Sequence, residues 1–140
     1  MRFWDASAVV PLLLDEPASE AVRSVFRADP EMVVWWGTVL ECVSAISRRE
    51  REGSIDLGTA VFAHDRLGAL SARWMEVQPV TAVRDLARRL LRVHALRTLD
   101  ALQLAAALVV LSGHHAATPF VCLDERLAAA ATREGLRVVT

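Results

Sequence analysis

Five short apolar runs, separated by one or two stretches of helical periodicity each, constrain this chain more than any other feature. Arg2 to Asp5, Glu31 to Trp36, Met75 to Gln78, Phe120 to Leu123 and Leu136 to Val139 read as strands, the second notably rich in Val and Trp. Between them, helices are predicted over Ala8 to Leu14, Ser19 to Ala28, Thr38 to Glu52, Asp56 to Ser71, Thr81 to Val93, Leu99 to Leu111 and Glu125 to Arg133. The second of these carries Ala21, Val22, Val25 and Phe26 in the i, i+3, i+4 rhythm of an amphipathic helix. Asp29-Pro30, Gly53, Gly113 and Gly135 act as stops. Strands alternating with helices at this spacing imply a parallel sheet covered on both sides: a three-layer α/β/α sandwich with about five strands. The 140 residues suffice for one such domain, and 54% hydrophobic against 24% charged residues excludes a disordered chain.

Four acids stand where an apolar run gives way to a helix: Asp5, Glu41, Asp100 and Asp124. Each has a structural reading when taken alone. Asp5 and Asp124 suit helix N-caps. Thr38-Val39-Leu40-Glu41 matches a capping box. Asp100, two residues after a capping Thr98, complements a helix dipole. Together they suggest something else, because helices that follow the strands of a parallel sheet start at one edge, where ligands bind. Two anions about 5 Å apart repel by about 3 kcal/mol at an effective dielectric near 20, so such a gathering calls for a dication. A cation held by carboxylates suits phosphodiester hydrolysis.

Charge alone does not choose the partner. All 16 basic residues are Arg, Lys being absent, and the net charge is −1; with four of the 17 acids neutralised by metal, 13 remain and the balance becomes +3. Cys42 and Cys122 stand far apart in apolar stretches, which predicts buried free thiols in a reducing cytoplasm. The apolar stretch Ala101 to Leu111 contains Gln103 and is too short to cross a bilayer, so no membrane association is expected. His64, His94 and the pair His114-His115 lack ligand spacing, and the pair is predicted at the edge opposite the acids. This argues against a ribonuclease of the paired-histidine type.

Several blocks, taken in order, resemble a known family. Asp5-Ala6-Ser7-Ala8, Thr38-Val39-Leu40-Glu41, Arg97-Thr98-Leu99-Asp100-Ala101-Leu102-Gln103-Leu104-Ala105 and Val121-Cys122-Leu123-Asp124, with Ala131 and Gly135-Leu136-Arg137-Val138, look like the signature blocks of PIN-domain ribonucleases. More narrowly they look like VapC-type toxins of bacterial toxin–antitoxin pairs. The Thr98-Leu99-Asp100-Ala101 block is the most specific of them. One departure is Cys122, where the family often carries a hydroxyl two residues before its last acid.

The resemblance implies hydrolysis of single-stranded RNA with one or two Mg²⁺ or Mn²⁺ ions. Asp5, Asp100 and Asp124 are the expected direct ligands, with Glu41 acting mainly through water. Ser7 is expected to orient Asp5 or a metal-bound water, and Thr98 either to support Asp100 or to cap its helix. Arg97 and Arg126, beside two of the acids, are candidates for phosphate contacts. Trp35 and Trp36 occupy adjacent strand positions and point to opposite faces, so at most one of them faces RNA. A small cognate antitoxin and a homodimer are the implied partners. Two neighbouring readings share the fold: a housekeeping PIN ribonuclease without an antitoxin, and a catalytically silent protein-binding module. A haloacid-dehalogenase type of phosphatase also begins with an Asp after its first strand, but wants a second Asp two residues on and a downstream Lys. Ser7 stands at the former position, and the chain has no Lys.

Overall fold

The structure is a computed structural model, which describes residues 1–112 and 118–139. The five strands are β1 (Arg2–Trp4), β2 (Met32–Trp35), β3 (Met75–Val77), β4 (Pro119–Val121) and β5 (Arg137–Val139). They form one sheet in the order β3-β2-β1-β4-β5, and every adjacent pair is parallel. The helices are α1 (Ala6–Leu13), α2 (Ser19–Ala28), α3 (Thr38–Arg51), α4 (Leu57–Ser71), α5 (Thr81–Val93), α6 (Thr98–Val110) and α7 (Glu125–Arg133). The α/β/α sandwich expected from the sequence is therefore present. The pair His114-His115 lies outside the described residues.

Strand periodicity divides the core. Phe3, Val33, Trp35, Phe120 and Cys122 face a layer made of α5, α6 and α7. Trp4, Met32, Val34 and Val121 face the opposite layer of α1 to α4. The Phe3 and Phe120 rings stack across the β1–β4 pair with centroids 5.6 Å apart, and both are fully buried. Burying an aromatic side chain of this size contributes about 1.5–3 kcal/mol, so this pair pins the two central strands in register.

The same division opens one edge of the sheet. From β1 the chain passes into α1 on one face, whereas from β4 it passes into α7 on the other. Connections diverging from neighbouring parallel strands leave a crevice at their carboxyl ends. Asp5 opens that crevice: its amide donates to the carbonyl of Val121 at 2.9 Å, which extends β1 alongside β4 by one residue.

Local boundaries differ from the sequence reading where tertiary partners intervene. The first helix begins at Ala6 rather than Ala8, because Asp5 caps it through the Ser7 amide. Gly37, not Thr38, is the N-cap of α3, and Arg97, not Thr98, is the N-cap of α6. Neither threonine makes a capping side-chain bond. Cys42 and Cys122 are buried free thiols, as expected. Among the described residues no helix is long and apolar enough to cross a membrane.

Candidate functional site: an acidic edge between β1 and β4

Asp5 is the deepest of the four acids, only 4% exposed. Its Oδ2 accepts hydrogen bonds from the Ser7 amide at 2.9 Å and from the Ser7 hydroxyl at 2.5 Å. The same hydroxyl oxygen accepts from the amides of Leu123 (2.9 Å) and Asp124 (3.2 Å). Ser7 therefore orients Asp5, as the sequence suggested, and also fastens the turn that carries Asp124. Burial pushes the Asp5 carboxyl above its ordinary range; the hydrogen bonds from Ser7 oppose the shift and the charge of Asp100 adds to it. Cys122, at the position that departs from the family pattern, has its sulfur 3.8 Å from both Asp5 Oδ2 and the Ser7 hydroxyl. Burial, with the charge of Asp5 beside it, drives that thiol up to about 12, so it stays neutral.

Glu41 lies in the first turn of α3, half-buried. It does not close a capping box. Its Oε1 instead accepts from Nε2 of Gln103 at 2.9 Å, and Gln103 also donates to the Thr38 hydroxyl at 3.2 Å. Burial and then the charges of Asp5 and Asp100 raise the Glu41 carboxyl to about 7, while the bond from Gln103 works against them.

Asp100 lies in the first turn of α6 and is half-buried. It does not follow a strand: α6 is the second helix of the crossover from β3 to β4. Packing of α6 against β2 and α7 brings Asp100 to the edge. Burial and the neighbouring charge of Asp124 raise its pKa, opposed by the Arg97 amide and by the charges of Arg97 and Arg126. Asp124 is exposed and caps α7, accepting from the Leu127 amide at 2.8 Å.

The four acids thus form an electrostatically linked row, Glu41 to Asp5 to Asp100 to Asp124, along the carboxyl edge of the sheet. They are adjacent, but not closed on a point. Among the described residues no three His, Cys, Asp or Glu side chains are grouped so as to hold one metal ion. Asp5, Glu41 and Asp124 each bond to a side chain or amide of the protein instead.

Two depressions flank the row. A polar one of about 760 Å³ is lined by Arg97, Asp100, Leu123, Asp124, Glu125 and Arg126. A largely apolar one of about 440 Å³ is bounded by Trp36, Leu40, Glu41, Arg48 and Leu99. Arg97 and Arg126 therefore sit beside the acids, as expected. Thr98 is exposed and lines a separate groove with Trp35, Arg84 and Arg88, so it does not support Asp100. Trp35 is 5% exposed and Trp36 45%, which fulfils the expectation that the two diverge. His94 pairs with Glu134 at 2.7 Å and takes no part in the edge.

The residue that sequence reasoning missed is Gln103. It is completely buried, yet in the sequence it looks like a lone polar interruption of an apolar helix. Its position three residues after Asp100, on the same helical face, is the signal that could have exposed it.

No family model matches the chain, and no curated protein does either. Among solved structures, the crystal structure of FitAcB from Neisseria gonorrhoeae is similar at a TM-score of 0.69, with 14% sequence identity over 100% of this chain and 97% of that one. The two share a fold. At that identity the likeness extends to architecture alone, and the α/β sandwich with its five-strand parallel sheet is the PIN-like arrangement expected from the signature blocks.

Proposed function

We propose that this chain is a metal-dependent endoribonuclease that cuts single-stranded RNA, and that it acts as the toxin of a toxin–antitoxin pair. The observation that carries the reading is the uncompensated burial of Asp5. Its carboxylate is 4% exposed, accepts from Ser7 and more distantly from the Cys122 thiol but from no cationic group, and has anionic neighbours in Glu41 and Asp100. A carboxylate row of this kind costs stability unless a cation neutralises it.

The donor set fits a hard dication. Carboxylate oxygens suit Mg²⁺ or Mn²⁺, and the two nearby soft donors, Cys42 and Cys122, are held as neutral thiols. Asp5, Asp100 and Asp124, adjacent but not gathered on one point, would have to close together to hold the ion directly, with Glu41 acting through water. When bound, the ion supplies positive charge that lowers the pKa of an attacking water and stabilises the departing 3′ oxygen. Around such an ion, Ser7 would keep Asp5 oriented, and Asp124, exposed at the cap of α7, would be the acid most open to solvent. Arg97 and Arg126 attract phosphates to the polar depression, and Trp36 offers an exposed ring for base stacking.

The toxin assignment and a small antitoxin partner rest on the signature blocks. Exposed apolar residues on α3 and α4, among them Leu40, Val43, Val61 and Phe62, suit the expected homodimer. The deciding experiment follows a fluorescently labelled single-stranded RNA with Mn²⁺ or with a chelator, for wild type and Asp5→Asn. Cleavage should need the metal and fall by about 10²–10³-fold in Asp5→Asn, the scale of losing one electrostatic element of a hydrolytic site. Equal, negligible cleavage by both proteins would leave a binding module in place of an enzyme.

A further inference from the structure

Of the four buried polar or charged side chains in the described residues, three, Asp5, Thr38 and Gln103, belong to the acidic edge. Thr38 and Gln103 are the two whose side chains bond to no backbone group, and they bond to each other. Gln103 sits on α6 between Ala101 and Leu104, both fully buried. A primary amide there needs its donors satisfied, because a buried unpaired N–H is strongly unfavourable. Both donors are spent on α3, one to the Thr38 hydroxyl (3.2 Å) and one to Glu41 Oε1 (2.9 Å). The Thr38 hydroxyl in turn lies 3.5 Å from Gln103 Oε1, at the long limit of a hydrogen bond. A leucine would fill the same space without these bonds, so packing alone does not account for an amide here.

We propose that Gln103 is a positioning residue of the metal site: it fixes the direction of the Glu41 carboxylate and locks α3 to the helix that carries Asp100. This deepens the reading above and rests on it. Gln103 lies one turn along α6 from Asp100, so one side chain sets the spacing between two acids 59 positions apart in the chain (41 and 100). Thr38 holds the other side of the amide and prevents it from rotating away from Glu41. The arrangement corresponds to the outer-shell hydrogen bonds that orient metal ligands in other proteins.

The test is a double-mutant cycle on Mn²⁺ affinity, measured by calorimetry on the full chain. Gln103→Leu should weaken Mn²⁺ binding by about 10–100-fold, the usual scale for losing an outer-shell partner. In a Glu41→Gln background the same substitution should change it less than about 2-fold, because Gln103 acts through Glu41. Equal weakening in both backgrounds, or none in either, would overturn the proposal. A second measurement needs no metal: hydrogen exchange of the Gln103 side-chain amide by NMR. Slow exchange in wild type that becomes fast in Glu41→Ala supports the bridge, and fast exchange in wild type overturns it. An intact, slowly exchanging bridge in a protein that binds no Mn²⁺ overturns the metalloribonuclease reading and the metal-positioning role, and leaves only the α3–α6 link.

Discussion

The two ends of the acidic row are built in opposite ways. At the Asp5–Glu41 end the carboxylates are buried and half-buried, are bonded to Ser7 and Gln103, and have no arginine contributing to their pKa shifts. At the Asp100–Asp124 end they reach a polar depression where Arg97 and Arg126 already offset part of the negative charge. Four formally identical groups therefore differ in what they need. On the proposed reading the dry end would need an external cation, whereas the wet end is already partly neutralised by the protein.

The largest effect that could break this contrast is the pH dependence of the metal-free fold. Glu41 titrates near 7 when folded, against 4.5 ordinarily, so the folded state binds more protons between those values. Stability is then full below about pH 4.5 and declines as pH rises through 7. Allowing for partial exposure of Glu41, the loss should be about 2 kcal/mol by denaturant titration. Glu41→Gln should flatten the profile. Mn²⁺ at about 100 times its dissociation constant should restore about 2.7 kcal/mol. A flat wild-type profile without metal would mean that the dry end is not strained by its charge.

A smaller effect belongs to the wet end. Arg97→Ala and Arg126→Ala should weaken RNA binding, each lowering the slope of log affinity against log salt by about 1, with little change in Mn²⁺ affinity. A substitution that left the slope intact would remove that arginine from the phosphate path. The smallest effect is expected at Cys122. Replacing it by Ser puts a stronger donor on a shorter bond in place of a sulfur 3.8 Å from Asp5, at nearly constant volume. Thermal stability and cleavage should stay within about 1 kcal/mol of wild type, the net scale of one hydrogen bond. A larger change would show that the thiol matters to the dry end.

Much of this was legible before any coordinates, for reasons that differ by element. The strands and most helices declare themselves by periodicity, and Asp5 and Asp124 by their place at the ends of β1 and β4. Asp100 was different. In the sequence it stands with the others at a helix start, yet no strand precedes α6, and it is the packing of α6 that brings Asp100 to the edge. Thr38 and Thr98 misled in the same manner. A threonine ahead of an apolar run reads as a cap, yet Thr38 is drawn inward by Gln103, and Thr98 faces a separate groove. Gln103 itself was invisible because its partners sit 62 and 65 positions away, on another helix. Local chemistry announces caps and turns; bonds between distant helices leave no local trace.

The Ser7 hydroxyl has a temporal consequence. Its amide donors come 116 and 117 positions later, so the oxygen that orients Asp5 is not tied down until the fourth strand has been synthesised and docked. A polypeptide still growing on the ribosome would carry Asp5, Glu41 and Asp100 before the clasp between Ser7 and the Asp124 turn could form. An edge wired in this manner is assembled only once residue 124 has been made.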